Sequence, residues 1–163
     1  MNRIDLQSKT QAETGEFSCY WFENKEVGLA RTKFCRFEIA LAPFDSGLDY
    51  EQQPVKTDLL IEWLPLDVAS TRELDGLIVS SESHPSMEGS IYLGAAHNWC
   101  DVKSLRLKRI NDNEVEVTGE VLVELQHEGI APNESFSFAT RVFCDFEPAS
   151  EDEYWNMTLP DSL

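Results

Sequence analysis

Residues 114–125 read Glu-Val-Glu-Val-Thr-Gly-Glu-Val-Leu-Val-Glu-Leu, the cleanest alternation in the chain. Val115, Val117, Val121, Val123 and Leu125 share one parity, with Gly119 at the remaining place. Glu114, Glu116, Glu120 and Glu124 share the other. Side chains of an extended strand alternate in direction, so this run puts its valines on a core face and its glutamates on the opposite one. The segment is committed to a sheet with one packed face and one wet face, the arrangement antiparallel sheets allow. A glycine inside such a run predicts a bulge or a bend at Gly119.

The flanking sequence extends the pattern. Residues 90–99 predict a strand with Ile91, Leu93, Ala95, His97 and Trp99 in register, and 102–110 predict the next. Asn111-Asp112-Asn113 is turn chemistry between two alternating runs and predicts a hairpin. A loop over 127–134 leads to a last strand lined by Phe136, Phe138, Val142, Cys144 and Phe146. Together these runs predict an antiparallel meander of four strands. Upstream, strands are expected over 16–23, over 33–42 (Cys35, Phe37, Ile39 and Leu41 on one face, Phe34, Arg36 and Glu38 on the other), over 58–64 and over 77–81. Residues 67–75 are the one internal helix candidate, with Asp67 as cap and Gly76 as stop. Ser150 followed by Glu153 forms a capping box for a short acidic helix carrying Tyr154, Trp155 and Met157. That helix either docks on the sheet or orders on a partner.

These elements predict an all-β or β-dominated α+β fold: an antiparallel sheet or sandwich, or a strongly curved open sheet, with one or two short helices. Residues 1–15 read as a polar N-terminal segment, a tail or a loosely attached first element, and 16–163 as a single β-rich domain. Nine Phe, four Trp and four Tyr argue against a disordered chain.

Charge narrows the partners. Thirty acidic residues against thirteen Lys and Arg give a formal charge of −17. Nucleic acid and anionic membranes are disfavoured, because binding them depends on cations. A basic protein is the partner such a field steers inward. The acids concentrate late: no Lys or Arg lies between Arg109 and Arg141 or after it. Lys103, Arg106, Lys108 and Arg109 lie just upstream. If Arg106, Lys108 and Arg141 oppose the glutamates of 114–124, that row is ordinary cross-strand neutralisation; if not, it is an acidic platform.

The N-terminus lacks the apolar core of a signal peptide, so a cytoplasmic location is expected. Cys19, Cys35, Cys100 and Cys144 then read as free thiols, and their spacing fits no zinc module. No nucleophile elbow, P-loop or H-E-x-x-H motif occurs. His97 and Cys100 are close in sequence but point to opposite faces of a strand. No cofactor and no metal are expected. The functional expectation is a non-enzymatic acidic protein-binding domain, of the kind represented by bacterial immunity proteins that neutralise a basic toxin by occlusion. Its candidate partner-binding residues are Glu116, Glu120, Glu124, Glu151, Asp152, Glu153, Tyr154 and Trp155. Two alternatives stand beside it. One is a small-ligand-binding β domain with Phe17, Trp21, Trp63 and Trp99 as lining. The other is a DNA mimic.

Overall fold

A computed structural model describes residues 2–148. The capping box at Ser150 and the candidates Glu151, Asp152, Glu153, Tyr154 and Trp155 lie outside the described residues. The elements are α1 (Leu6–Lys9), β1 (Ala12–Asn24), β2 (Leu29–Leu41), β3 (Asp58–Leu64), α2 (Thr71–Leu74), β4 (Ile78–Val79), β5 (Glu88–Leu93), β6 (Ala96–Arg109), β7 (Glu114–Val123) and β8 (Glu134–Cys144).

The fold is β-dominated, as expected, but the sheet is neither a sandwich nor open. Strand β6 pairs with both β5 and β7, so the sequence β6-β5-β3-β2-β1-β8-β7 returns to its start and closes a barrel, with β4 added beside β6. Seven strands cannot alternate in direction all the way round a ring. One neighbouring pair must run the same way, and it is β1 with β8, in parallel over Gly15–Phe17 and Val142–Cys144. Closure removes the unpaired edges an open sheet would expose. The alternation of each strand could not reveal this, because a strand in a barrel and a strand in a sandwich share the same period.

The expected meander stands as β5–β6–β7–β8, each pair antiparallel. Its first boundary differs. The expected strand 90–99 is broken by a two-residue turn at Gly94 and Ala95, both at positive φ, which joins Leu93 to Ala96. Such turns match the twist of a hairpin and favour glycine. Beyond the turn the parity inverts, so His97 and Trp99 face outward while Ile91 and Leu93 face the core. Gly119 is not a bulge: β7 runs in unbroken register with β8, and the nearby shift falls on β6 between Val102 and Ser104. Gly119 faces inward opposite Phe138, and its missing side chain leaves room for that ring. The internal helix shrinks to the single turn α2, with Ser70 rather than Asp67 at its N-cap position and no side-chain capping bond.

The interior is filled from every strand, by Phe17, Phe37, Ile61, Ile91, Val117 and Phe136 among others. Residues 1–15 include part of this body: Ile4 and Leu6 are buried, and β1 begins at Ala12. The buried carboxylate of Glu134 accepts the backbone N–H of Asp5 and of Leu6, at 2.8 and 2.7 Å, and holds α1 against β8.

A candidate docking surface

Two acidic faces lie on the outside of the barrel, and they differ in how their charge is balanced. The first is the expected one, on β7. Glu116, Glu120 and Glu124 do point outward, and Glu116 has a cation on each neighbouring strand. Glu116 lies between Lys108 on β6 and Arg141 on β8. Arg141 Nε reaches Glu114 Oε2 at 3.3 Å. Glu120 lies between Ser104 and Ser137, and it lines a shallow cavity with Arg106. Lys103 donates to Asp101 at 2.6 Å; this contact, with Glu120 and Glu124 nearby, raises its pKa. Glu124 follows the end of β7, where its N–H donates to the carbonyl of Trp99. Cross-strand neutralisation therefore reaches Glu114 and Glu116, while Glu120 faces serines on both sides.

The second face, over β1, β2, β3 and β5, sets carboxylates against one another. Glu16 stands directly opposite Glu38, and Glu62 directly opposite Glu88. Directly opposed like charges destabilise a sheet by roughly 0.2–1 kcal/mol per pair. Burial pushes the Glu38 carboxyl above its ordinary range; the Arg36 guanidinium pulls it back and Asp58 pushes it further up. Burial, then the charge of Glu62, raises Glu88.

Lys56 borders this face at its third cavity, and Arg36 is seated within it. Arg36 is buried, and its Nη2 donates to Glu38 Oε2 at 3.3 Å. Its Nη1 has no hydrogen-bond partner among the described residues. A buried guanidinium N–H without an acceptor is costly, by about 1–3 kcal/mol.

The surface is grooved. A cavity of about 500 Å³ is walled by Arg36, Glu16, Glu38, Asp145 and Phe143, the last 58% exposed. A second, of about 290 Å³, shares Glu16 and Glu38 with it and adds Thr14 and Asp58. A third, of about 460 Å³, shares Asp58 with the second and runs on to Tyr92 and His97. Shared walls make one trough across the strands, from Phe143 to Tyr92. Exposed aromatics stand at both ends. At the far end the Tyr92 ring meets His97 edge-on at 4.9 Å, and Trp99 lies opposite Ser90, 46% exposed.

The four aromatics expected to line a ligand cavity do not converge. Phe17 is interior, 5.0 Å from Phe37. Trp21 is half-buried under Arg31. Trp63 packs outside the barrel edge-on to Tyr20 and Phe34. Trp99 is on the surface. His97 is exposed and Cys100 buried, on opposite faces. The exposed Ser83 hydroxyl meets His84 Nδ1 at 2.9 Å, but it also bonds the backbone of Ser80 and belongs to a turn. Among the described residues no three His, Cys, Asp or Glu side chains converge to hold a metal ion, and no helix is long and apolar enough to cross a membrane.

Sequence reasoning missed Glu16, Asp58, Glu62 and Glu88 as a group. The outward parity of Arg36 and Glu38 was legible. The adjacency of β3 to β5, which skips α2 and β4, was not. No family model, curated protein or solved structure matches this chain.

Proposed function

We propose that this barrel is a non-enzymatic binding module whose acidic trough docks a basic protein segment lying across β8, β1, β2, β3 and β5. The observation that carries the reading is the contrast between the two faces. Glu116 is opposed by Lys108 and Arg141, whereas Glu16 and Glu38 are opposed by each other. The crowding of Glu16 against Glu38 on this grooved surface is relieved when a partner supplies a further cation. Lys or Arg side chains would sit among these carboxylates, a partner carbonyl or carboxylate would accept from Arg36 Nη1, and Phe143, Tyr92 and Trp99 would supply apolar anchors. Tyr and Trp are the residues that most often carry interface energy. An immunity protein that occludes the cationic surface of a toxin fits this chemistry, and that identity is part of the proposal.

The test is capture of a basic partner from the native host at low and moderate salt, with three forms of the protein. The wild type and a Glu116→Gln/Glu120→Gln variant are expected to hold one stoichiometric basic protein through moderate salt. A Glu16→Gln/Glu62→Gln/Glu88→Gln variant is expected to lose it. Equal retention by both variants, or loss of every basic protein from the wild type at moderate salt, overturns the proposal.

A further inference from the structure

Strands β1 and β2 bring two cysteines face to face inside the barrel. Cys19 and Cys35 are direct cross-strand partners, and their sulfurs lie 3.4 Å apart. Both are buried, and both are free thiols. Cys35 Sγ also lies 3.4 Å from the carbonyl oxygen of Leu66. A third thiol, Cys144, sits on β8 opposite Phe17, two residues along β1 from Cys19. Cys100 pairs with Gly89 and Val123, away from this group.

We propose that Cys19 and Cys35 are an oxidisable dithiol, a covalent modification site that peroxide converts into a cross-strand disulfide between β1 and β2. Opposed positions on adjacent strands already hold the sulfurs in van der Waals contact, and a small side-chain adjustment brings them to the roughly 2.05 Å of a bond. Two thiols in such contact are easily explained as core packing. The proposal goes further because their environments are unequal, as an attacking and a resolving thiol require. The hydrogen bond between the sulfurs favours the Cys19 thiolate and disfavours that of Cys35. Burial opposes both thiolates, and Lys33, two residues before Cys35, offsets part of that with its positive charge.

The chemistry balances with hydrogen peroxide as the oxidant. The Cys19 thiolate attacks one peroxide oxygen, the O–O bond breaks, and hydroxide leaves with the proton that Cys19 lost to form water. Cys19 is then a sulfenic acid. The Cys35 sulfur attacks the Cys19 sulfur, the S–O bond breaks, and the departing hydroxide takes the Cys35 proton as a second water. Two thiols and one peroxide give one disulfide and two waters. The product would tie together the two strands that carry Glu16, Arg36 and Glu38.

The test treats the folded full chain with equimolar hydrogen peroxide. The protein is then unfolded in the presence of an alkylating agent and its disulfides mapped by mass spectrometry. The expected result is a loss of two hydrogens, a single Cys19–Cys35 linkage, and alkylated Cys100 and Cys144. The same treatment in urea is expected to give mixed pairings. A Cys35→Ser variant, which keeps a donor beside Cys19 but cannot close the disulfide, is expected, if folded, to leave a Cys19 sulfenic acid that dimedone traps. Four alkylated thiols in the treated native protein, a linkage through Cys100 or Cys144, or native pairings indistinguishable from those in urea would each overturn the assignment. The wild-type mapping decides the matter even where the variant fails to fold.

Discussion

The carboxylate of Glu134 accepts the backbone N–H of Leu6 at 2.7 Å across a sequence separation of 128 residues, and that of Asp5 at 2.8 Å. Glu134 is 3% exposed and its bond to Leu6 is buried, so the Leu6 N–H is left without an acceptor if the carboxylate is removed. Charged hydrogen bonds of this kind are among the strong ones. Glu134→Ala is expected to destabilise the protein by about 2–4 kcal/mol. Glu134→Gln, which keeps one acceptor oxygen, should cost less. Urea unfolding midpoints measure both, and an Ala variant no less stable than the Gln variant would mean the clamp does not hold α1.

Gly119 is expected to be irreplaceable for a packing reason. A Cβ there overlaps the Phe138 ring and comes within 2.9 Å of Leu105 Cδ2. Gly119→Ala is therefore expected to cost about 1–3 kcal/mol, the range for overpacking a core. Adding Phe138→Leu should recover part of that loss. If the double variant is as unstable as the sum of the singles, measured by urea unfolding, ring accommodation is not what the glycine provides.

The second acidic face gives stability a pH dependence with a definite sign. Glu38 and Glu88 have carboxyl pKa values raised by burial in the folded state. Between the ordinary glutamate value and the raised one, the folded protein binds more protons than the unfolded chain, so stability falls as pH rises through that window. The stabilisation is fully present below the ordinary value and lost above the raised one. Glu88→Gln is expected to gain about 0.2–1 kcal/mol near neutral pH by removing the Glu62–Glu88 repulsion. Its stability should decline less steeply with pH than the wild type. Chemical denaturation at pH 4, 5.5 and 7 checks this; an unchanged pH profile would remove Glu88 from the account.

Phe143 separates folding from binding. Its ring is 58% exposed at one end of the trough. Phe143→Ala should leave unfolding stability within about 0.5 kcal/mol of wild type. The basic partner is expected to bind more weakly by about 2 kcal/mol, near thirty-fold in Kd. A titration of purified partner showing no loss of affinity would take Phe143 out of the interface.

The local signals were strong where neighbours in sequence are neighbours in the sheet. The hairpin at Asn111–Asn113, the valine face of β7 and the aromatic face of β8 follow from alternation and turn chemistry alone. The barrel did not, because closure depends on β1 meeting β8 and β3 meeting β5, pairings that no local period encodes. The inversion at Gly94 and Ala95 was missed because the residues on both sides alternate well enough to read as one strand. The same limits governed the site. The outward parity of Glu116, Glu120 and Glu124 was right; of the cations named beside them, Lys108 and Arg141 stand opposite Glu116, while Arg106 stands opposite Thr118. What outranked that row, the opposition of Glu16 to Glu38 and of Glu62 to Glu88, exists only once the non-local register is known.

The most direct test of the docking surface is carboxyl footprinting of the complex with its captured basic partner. Carbodiimide labelling, read residue by residue with and without the partner, is expected to show protection at Glu16, Glu62 and Glu88. Glu116 and Glu120 should label equally in both states. Protection concentrated on Glu116, Glu120 and Glu124, with Glu16 and Glu88 unchanged, would contradict the account and return the interface to β7.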